Sequence, residues 1–264
     1  MNTLILALFT ALPTQSTHPF SVHDMLAMDR ISDPQVSPDG TWVLFDVRAT
    51  DVEANKGRTD VWIAAVDGTS VKRLTTNEAS DMNARWMPDG KSFVFLSSRG
   101  GSSQVWQMSP EGGEAQRLTD FPLDVDNLSV FPDGKRLLVT MEVYTDIKPD
   151  KELDETKKRD DEREKKKVKA RIYESLLFRH WDAFEDGKRS HVFVWTIGGG
   201  APIDVMPGFD GDAPTKPFGG GEELAISPDG KLVAFTGEYD GNRRCSHWRS
   251  IYYGDSSVTY NRFQ

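Results

Sequence analysis

The stretch ISDPQVSPDGTWVLFDV, Ile31–Val47, places a Ser-Pro-Asp-Gly turn between two runs of alternating apolar residues. Proline presets φ at the second position of such a turn, Asp is tolerated at the third, and Gly40 can take a positive φ at the end. Val36 precedes the turn, and Val43 and Phe45 follow it. This alternation predicts two antiparallel strands joined by the turn.

Nearly the same turn returns three more times, in RWMPDGKSFVF, LSVFPDGKRLLV and LAISPDGKLVAF. Its final glycines are Gly40, Gly90, Gly134 and Gly230, at intervals of 50, 44 and 96 residues, and the last interval is about twice the others. A repeat of about 40 to 50 residues, rich in short strands, is typical of propeller blades of four strands each. We therefore predict an all-β fold, a partial β-propeller of about three to four TolB- or WD40-like blades.

Each of the first three periods also contains a second hairpin, in DVWIAAVDGTSVKRLT, QVWQMSPEGGEAQRLT and, much later, HVFVWTIGGGAPIDVM. An aromatic residue takes the equivalent place in the three copies, as Trp62, Trp106 and Phe193. The first two copies end alike, on Leu74–Thr75 and Leu118–Thr119. Two independent turn signals in the same order predict one complete blade per period.

The third period is long because a charged segment interrupts it. Its first part, Asp146–Arg171, carries eleven Lys or Arg and nine Asp or Glu. Val168, Ile172 and Leu176 then recur at a spacing of four, which is one stripe of a helix. We predict a helical insert over 146–178, solvated at first and packed through its later turns. A nucleic-acid patch, which the mixed charges disfavour, and a flexible lid or partner contact are the alternatives.

The chain begins with the apolar run LILALFTAL, Leu4–Leu12, followed by Pro13 and small residues. Nine apolar residues suit the core of an export signal and are too few to span a bilayer, although no basic residue precedes them. We predict a signal peptide over 1–17, cleaved near Ser16 or Thr17, and hence a periplasmic or secreted protein. A buried strand or helix start is the alternative, and no other segment reads as a membrane span.

A short helix is predicted between this leader and the first blade. Ser21 with Asp24 three residues later forms a capping-box pattern. The apolar residues expected on the buried face of this helix are Val22, Met25, Leu26 and Met28.

Composition narrows the range of partners. A net charge of −9 argues against nucleic acid, since phosphate binding needs clustered Lys and Arg. The single cysteine, Cys245, allows no disulfide within the chain and leaves the redox compartment open.

The usual catalytic motifs are missing from the sequence. There is no G-x-S-x-G elbow, no H-E-x-x-H and no paired C-x-x-C. The serines of GGSSQ, Gly100–Gln104, lie in a hairpin-rich blade, and FGGGEEL, Phe218–Leu224, lacks the lysine and helix of a phosphate-binding loop. We therefore assign no catalytic, cofactor-binding or metal residue and expect no cofactor.

Two weaker candidates remain among the polar residues. The five histidines are His18, His23, His180, His191 and His247. Of these, only His180 and His191 lie close in sequence, and a metal site there would need a third ligand that the sequence does not identify, so structural roles are predicted. Glu222–Glu223 offers carboxylates to a substrate's amino terminus, but a solvated loop before a strand is the favoured interpretation.

Three stretches together resemble bacterial prolyl oligopeptidase family serine peptidases of the dipeptidyl aminopeptidase and acylaminoacyl-peptidase type. They are HPFSVHDMLAMDRISDPQVSPDGTWVLF, LLFRHWDAFEDGKRSHVFV and PFGGGEELAISPDGKLVAFT. The resemblance runs from about His18 to Thr236. The PDG turns alone are shared with periplasmic TolB-like propellers, so the block from Arg179 to Val194 is the more specific signal. It contains Arg179, His180, Trp181, Asp182, Asp186, Gly187 and His191.

The resemblance implies a seven-bladed propeller that caps an α/β-hydrolase domain carrying a Ser-Asp-His triad. The propeller would admit only short or unfolded peptides to the triad. This chain stops before that domain would begin, so we expect the N-terminal propeller portion of an exported serine peptidase, inactive alone, and leave open whether the chain is an enzyme. The alternatives are a non-catalytic TolB-like propeller that binds a protein or peptide, and a subunit that pairs two half-propellers.

The last residues depart from the family pattern. After Thr236 the chain reads GEYDGNRRCSHWRSIYYGDSSVTYNRFQ, without the expected apolar alternation of a second hairpin. We predict an atypical tail over 238–264, produced by a change of reading frame near Glu238–Arg244; a divergent blade is the alternative. An unclosed ring leaves strand edges uncovered, which predicts self-association or poor solubility of the chain.

Overall fold

A computed structural model describes residues 18–173, 179–181, 183–184, 186–239, 247–253 and 257–262. The strands form successive antiparallel sheets, and the predicted all-β, partial-propeller fold is confirmed. The predicted signal peptide and Cys245 lie outside the described residues. No described helix is long and apolar enough to cross a membrane.

Four sheets follow the order of the four PDG turns, and we call them blades 1 to 4. Blade 1 contains β1 (Arg30–Val36), β2 (Trp42–Asp51), β3 (Lys56–Ala65) and β4 (Val71–Arg73). Blade 2 contains β5 (Asp81–Trp86), β6 (Phe93–Ser97), β7 (Gln104–Met108) and β8 (Gln116–Arg117). Blade 3 contains β9 (Asp126–Val130), β10 (Arg136–Val143), β13 (Arg189–Thr196) and β14 (Ile203–Asp204). Blade 4 contains β15 (Gly211–Asp212), β16 (Leu224–Ile226), β17 (Leu232–Tyr239), β18 (His247–Tyr253) and β19 (Ser257–Arg262).

The PDG turns have the predicted geometry. Their glycines take φ of +75°, +67°, +63° and +68°, and each glycine N–H donates to the carbonyl three residues earlier at 2.8–2.9 Å. The Asp of each turn accepts from the amide two residues ahead, as Asp39 does from Thr41 N at 3.1 Å. These bonds join residues that are close in sequence, so the conformation of each turn is set locally.

A second repeated feature precedes each of the first three turns by seven residues. Asp33, Asn83 and Asn127 have left-handed backbones, with φ of 51°, 59° and 47°. At each of them the register between the first and second strands of the blade shifts. Asn and Asp tolerate this conformation better than other side-chain-bearing residues, so the repeat needs them there.

The core lies between the blades, in three layers. Alternate residues of β6 serve two layers: Phe93 and Phe95 pack against blade 1, whereas Val94 and Leu96 pack against blade 3. A third layer joins blade 3 to blade 4, with Phe131, Leu138, Val192, Val205, Met206, Ala213, Val233 and Phe235. A central blade is therefore buried on both faces, as the unbroken burial of β6 shows.

Blade 1 differs from the central blades, because described residues cover only one of its faces. Leu44 is fully buried against blade 2, but its neighbours Val43 and Phe45 remain half-exposed. On β1, Ile31 and Val36 are 71% and 62% exposed.

The leader helix, α1 (Val22–Ala27), begins at the predicted capping box. Ser21 Oγ accepts from Asp24 N, and Asp24 Oδ2 accepts from Ser21 N at 2.7 Å. The predicted buried face is wrong: only Leu26 is half-buried, while Val22, Met25 and Met28 are exposed. A helix of six residues makes fewer than two turns, so it has no continuous stripe to bury.

The insert contains one helix, α2 (Glu152–Lys165), and a two-stranded sheet of β11 (Arg179–His180) and β12 (Ala183–Phe184). The prediction that the helix packs through its later turns is wrong. Its first turns are the buried ones, at Glu152 and Thr156, with Leu153 packed on the core.

The helix also ends earlier than the apolar stripe predicted. Val168 and Ile172 follow its end and are 73% and 88% exposed, and Leu176 lies outside the described residues. Acidic residues in the first turn and basic ones in the last suit the helix dipole. Beyond Lys165, Lys166, Lys167 and Lys169 add like charges that disfavour a further turn.

The tail forms a second hairpin, which its sequence did not predict. β18 pairs with β17 over seven positions and with β19 over six. Aromatic and β-branched residues, among them Trp248, Ile251, Val258 and Tyr260, favour strands even without strict alternation. The alternative of a divergent blade is the observed one, whereas the change of reading frame stays a prediction.

Candidate functional site

A cavity of about 520 Å³ opens beside the first strands of blades 2 and 3, between them, the insert and the segment leading into blade 4. The first strands β1, β5 and β9 lie side by side, and β9 contacts the 3₁₀ helix Gly221–Glu223 before β16. The polar residues that line the cavity are Asn83, Asp126, Asn127, Thr140, Glu142, Asp186, Lys188, Ser190 and Lys216.

Two lysines and several carboxylates form an ion-pair network in the cavity wall. Lys188 Nζ lies 3.4 Å from Glu142 Oε2, 3.2 Å from Asp160 Oδ2 and 3.4 Å from Asp186 Oδ2. Burial opposes the positive charge of Lys188, but Asp186, Glu142 and Asp160 outweigh it and raise the pKa of the ammonium group. This network ties the insert, which supplies Asp160, to the end of β10.

Lys216 contacts the other carboxylate oxygen of Glu142. Its Nζ contacts Glu142 Oε1 and lies 3.5 Å from Asp212 Oδ1. Burial opposes this charge too, yet Asp212 and Glu142 raise the pKa of Lys216. Both lysines are therefore protonated and already paired.

Asp126 is an acidic group of the cavity whose pKa is raised by burial and by the charges of Glu142 and Asp124. Its side-chain carboxylate makes no hydrogen bond or ion pair with another described residue, whereas its backbone carbonyl accepts from Thr140 Oγ1 at 3.0 Å. A carboxylate in a half-enclosed cavity can accept charge-assisted hydrogen bonds from an ammonium group. The arrangement is therefore suited to a cationic group such as a peptide amino terminus.

A second polar cluster is buried where α2 meets blade 3. His191 Nδ1 lies 2.8 Å from Asp204 Oδ2, and His191 Nε2 lies 2.9 Å from Phe209 O. Glu152, at the first position of α2, is the third member, and ligand atoms of the three side chains lie within 4.8 Å of one another. Burial, together with the charge of Asp204, raises the pKa of Glu152 to about 8.

The candidates considered from sequence occupy different surroundings. His180 pairs through its backbone with Ala183, and its side chain lies outside the described residues. His191 is buried, as expected for a structural histidine, but beside two carboxylates. The pairing of His180 with His191 considered from sequence therefore stays untested.

The glutamate and serine pairs have structural partners. Glu223 accepts from Thr215 N at 2.7 Å and from Thr215 Oγ1 at 2.8 Å, so this carboxylate holds the segment before β16 in place. Ser103 N donates to Asp124 Oδ1, and Ser103 Oγ donates to Val125 O.

Sequence reasoning missed the lysines and carboxylates of the cavity. One signal was available, because Asp126 directly precedes Asn127, one of the residues that recur seven positions before a turn glycine. Lys188 and Lys216 belong to no repeated spacing.

The stacked four-stranded sheets, with their first strands side by side, define a β-propeller class of protein. Residues 24–158 match the family described as TolB beta propeller domain. The match covers just over half of the chain, which belongs to this family.

Relatives with curated names are peptidases. Dipeptidyl-peptidase 5 of Porphyromonas gingivalis is 35% identical over 218 residues, 80% of this chain and 30% of that protein. Dipeptidyl-peptidase 5 of Porphyromonas endodontalis is 29% identical over 230 residues, 84% of this chain and 32% of that protein. The chain thus spans about a third of the length of these relatives. The resemblance to the propeller portion of such peptidases is confirmed.

Solved structures share the fold. An acylaminoacyl peptidase of Pyrococcus horikoshii superposes with a TM-score of 0.57 at 15% identity, over 89% of this chain and 32% of that chain. At this identity the likeness concerns the fold alone.

Proposed function

We propose that this chain is the N-terminal propeller portion of an exported serine peptidase that releases dipeptides or other short units from peptides. The observation that carries the proposal is the 35% identity along 80% of the chain to a dipeptidyl-peptidase. In this proposal the chain is inactive alone, because the nucleophile, its base and its orienting acid belong to a hydrolase domain. The apolar leader supports export.

The role proposed for the propeller is selection of short peptides with a free amino terminus. The cavity is bordered by first strands of the blades and carries the unpaired carboxylate of Asp126. A peptide ammonium group would bind there, while Lys188 and Lys216 hold Glu142 in the wall.

The first test is made on the chain alone. We expect no hydrolysis of dipeptidyl-p-nitroanilides and no labelling by a fluorophosphonate probe, which reacts with activated serines. Labelling or hydrolysis by the purified chain would contradict the proposal of an inactive propeller portion.

The second test restores a hydrolase domain. The aligned segment of this chain replaces its counterpart in dipeptidyl-peptidase 5 of P. gingivalis, and hydrolysis of free and N-acetylated substrates is measured. We expect the chimera to be active, and Asp126→Asn to raise KM for free-amino substrates about tenfold, an ion-pair contribution of about 1.4 kcal/mol. The control is Asp150→Asn, an exposed acid outside this cavity.

A TolB-like binding propeller is the second candidate, favoured by the family match over residues 24–158. It predicts a folded chimera without hydrolysis and a chain that binds a protein or peptide without cleaving it.

The Asp126→Asn chimera can also separate the two parts of the proposal. If the substitution changes KM equally for free and acetylated substrates, Asp126 has no role in substrate selection, while the peptidase assignment stays intact.

A further inference from the structure

One position in the third strand holds a different residue type in each of the first three blades. Asp60, Gln104 and His191 each come directly before a buried valine in the third strand of their blade. In blade 1, Asp60 Oδ1 lies 2.8 Å from Arg73 NH2. In blade 2, Gln104 accepts from Thr119 Oγ1 at 2.8 Å and carries no charge.

In blade 3 both members of the pair have changed. Asp204 takes the position that Arg73 has in blade 1. The buried valine N–H donates to Thr75 in blade 1 and to Met206 in blade 3. Arg73 and Asp204 each lie two residues before that acceptor. An Asp–Arg pair has thus become a His–Asp pair. The guanidinium of Arg73 gives way to a carboxylate, and the carboxylate of Asp60 gives way to an imidazole, which is a weaker base than guanidinium and a metal ligand.

The insert adds a second carboxylate, that of Glu152, beside His191 and Asp204. Glu152 is 5% exposed, His191 1% and Asp204 8%. They come from three different elements, α2, β13 and β14, and their ligand atoms lie within 4.8 Å of one another. A divalent cation bound by all three ligand atoms would take the place of the protons that the two carboxyl groups and the imidazole share, as metal binding to such ligands generally does.

The hydrogen bonds around the cluster orient its ligand atoms. Phe209 O can only accept, so His191 Nε2, 2.9 Å away, carries the proton and donates it. This leaves the Nδ1 lone pair directed at the carboxylates when the ring is neutral. Metal-bound histidines typically donate their other N–H to a carbonyl or carboxylate in this way. Asp204 Oδ1 is held by Met206 N at 2.8 Å, which leaves Oδ2 for the cluster.

We propose that Glu152, His191 and Asp204 bind one divalent transition-metal ion of the zinc class, which fastens the insert helix α2 to blade 3. One nitrogen and two oxygen ligands suit Zn²⁺, which imidazole favours over Mg²⁺ or Ca²⁺. We assign the ion a structural role because all three ligands are buried and come from elements that the ion would join, α2, β13 and β14. This site is separate from the cavity of Asp126 and does not depend on the proposed function.

The test uses the full chain, stripped with EDTA and desalted. We expect titration with ZnCl₂ alone to saturate at one ion per chain, and elemental analysis to find the same ratio after dialysis. We also expect Zn²⁺ to raise the Tm, and Co²⁺ to give the d–d absorption of a site with nitrogen and oxygen ligands. MgCl₂ should change neither signal.

Variants decide whether the ion sits at this cluster. Glu152→Gln keeps the size of the side chain and is expected to weaken Zn²⁺ binding at least tenfold, and Asp204→Asn should do the same. Glu155→Gln is the matched control, because it removes an exposed carboxylate from the same turn of α2. It should bind Zn²⁺ like the unaltered chain.

Two results would overturn the proposal. The first is a chain that binds no stoichiometric Zn²⁺. The second is a Kd that is unchanged in Glu152→Gln, which would assign the bound ion to other residues. Should Asp204→Asn fail to fold, Glu152→Gln still decides, since circular dichroism can confirm that its sheets are intact.

Discussion

Asp46 is a buried carboxyl group whose hydrogen bonding is incomplete. Asn83 N donates to its Oδ2 at 2.9 Å, while its Oδ1 has no hydrogen-bond partner among the described residues. Arg85 lies near but is engaged with Asp33, whose own charge disfavours a second anion. Burial is the main cause that raises the pKa of Asp46 to about 7.

This carboxyl group should make stability depend on pH. Between about pH 4 and pH 7 the folded chain holds a proton on Asp46 that the unfolded chain has released, so the free energy of unfolding falls as pH rises through that window. The full effect is at most about 4 kcal/mol. We expect Asp46→Asn to flatten this part of the pH profile and to raise stability at pH 8, as measured by urea unfolding.

The control for that experiment is Asp29→Asn, an exposed acid before β1. Its profile should match that of the unaltered chain. An equally steep fall in stability between pH 4 and pH 7 in Asp46→Asn would show that other groups cause the dependence.

At the scale of elements, the attachment of helix α2 to blade 3 depends on one buried hydroxyl group, that of Thr156. Tyr144 N donates to Thr156 Oγ1 at 3.2 Å, and Tyr144 OH contacts Asp160 Oδ1 at 3.0 Å. Arg163 NH1 also donates to Asp186 O at 3.2 Å. A charged helix with few apolar contacts is therefore held to blade 3 by polar bonds.

Replacing Thr156 by Val should loosen this helix. The substitution leaves the buried amide of Tyr144 without an acceptor, which costs about 1–3 kcal/mol. We expect hydrogen exchange over 152–165 to accelerate while exchange in the blades stays slow. Thr156→Ser keeps the hydroxyl group and serves as the control; a Val variant that exchanges like the Ser variant would contradict this role.

The elements that the sequence predicts well are those fixed by nearby residues. The PDG turns close by bonds between residues no more than five apart, and the second hairpins carry their own glycines. The packing of α2 was predicted wrongly because Glu152 and Thr156 are buried by partners in blade 3 that are distant in sequence. The site was missed for the same reason: Asp126 and Glu142 of blade 3 meet Asn83 of blade 2 and Lys216 of the segment before β16 only after these parts of the chain have packed.

For the molecule as a whole, the uncovered face of blade 1 is the main departure from a closed fold. Blades 2 and 3 are covered on both faces, whereas Phe45 stays half-exposed and Ile31 and Val36 are largely exposed. Exposed apolar strands of this kind pair with other chains.

We therefore expect the isolated chain to self-associate, with a mass in light scattering that rises with concentration. The double substitution Ile31→Lys with Val36→Lys should shift the mass toward that of a single chain, since like charges repel across a strand pairing. Val66→Lys, an exposed change in the turn after β3, is the control. A monomeric unaltered chain at all concentrations would refute the expectation.

The hydrogen-bonded ladder between β10 and β13 joins residues on either side of the insert, in eight consecutive pairs from Arg136–Thr196 to Val143–Arg189. Loop length adds little to the entropy of closing such a ladder, about 0.6 kcal/mol for each doubling. The ladder itself is made entirely by residues on either side of the exposed segment 166–172, so we expect blade 3, once folded, to keep its pairing when the chain is cut there. A protease that cuts there would leave two polypeptides that share one sheet, and the pieces made separately should reassemble by fragment complementation.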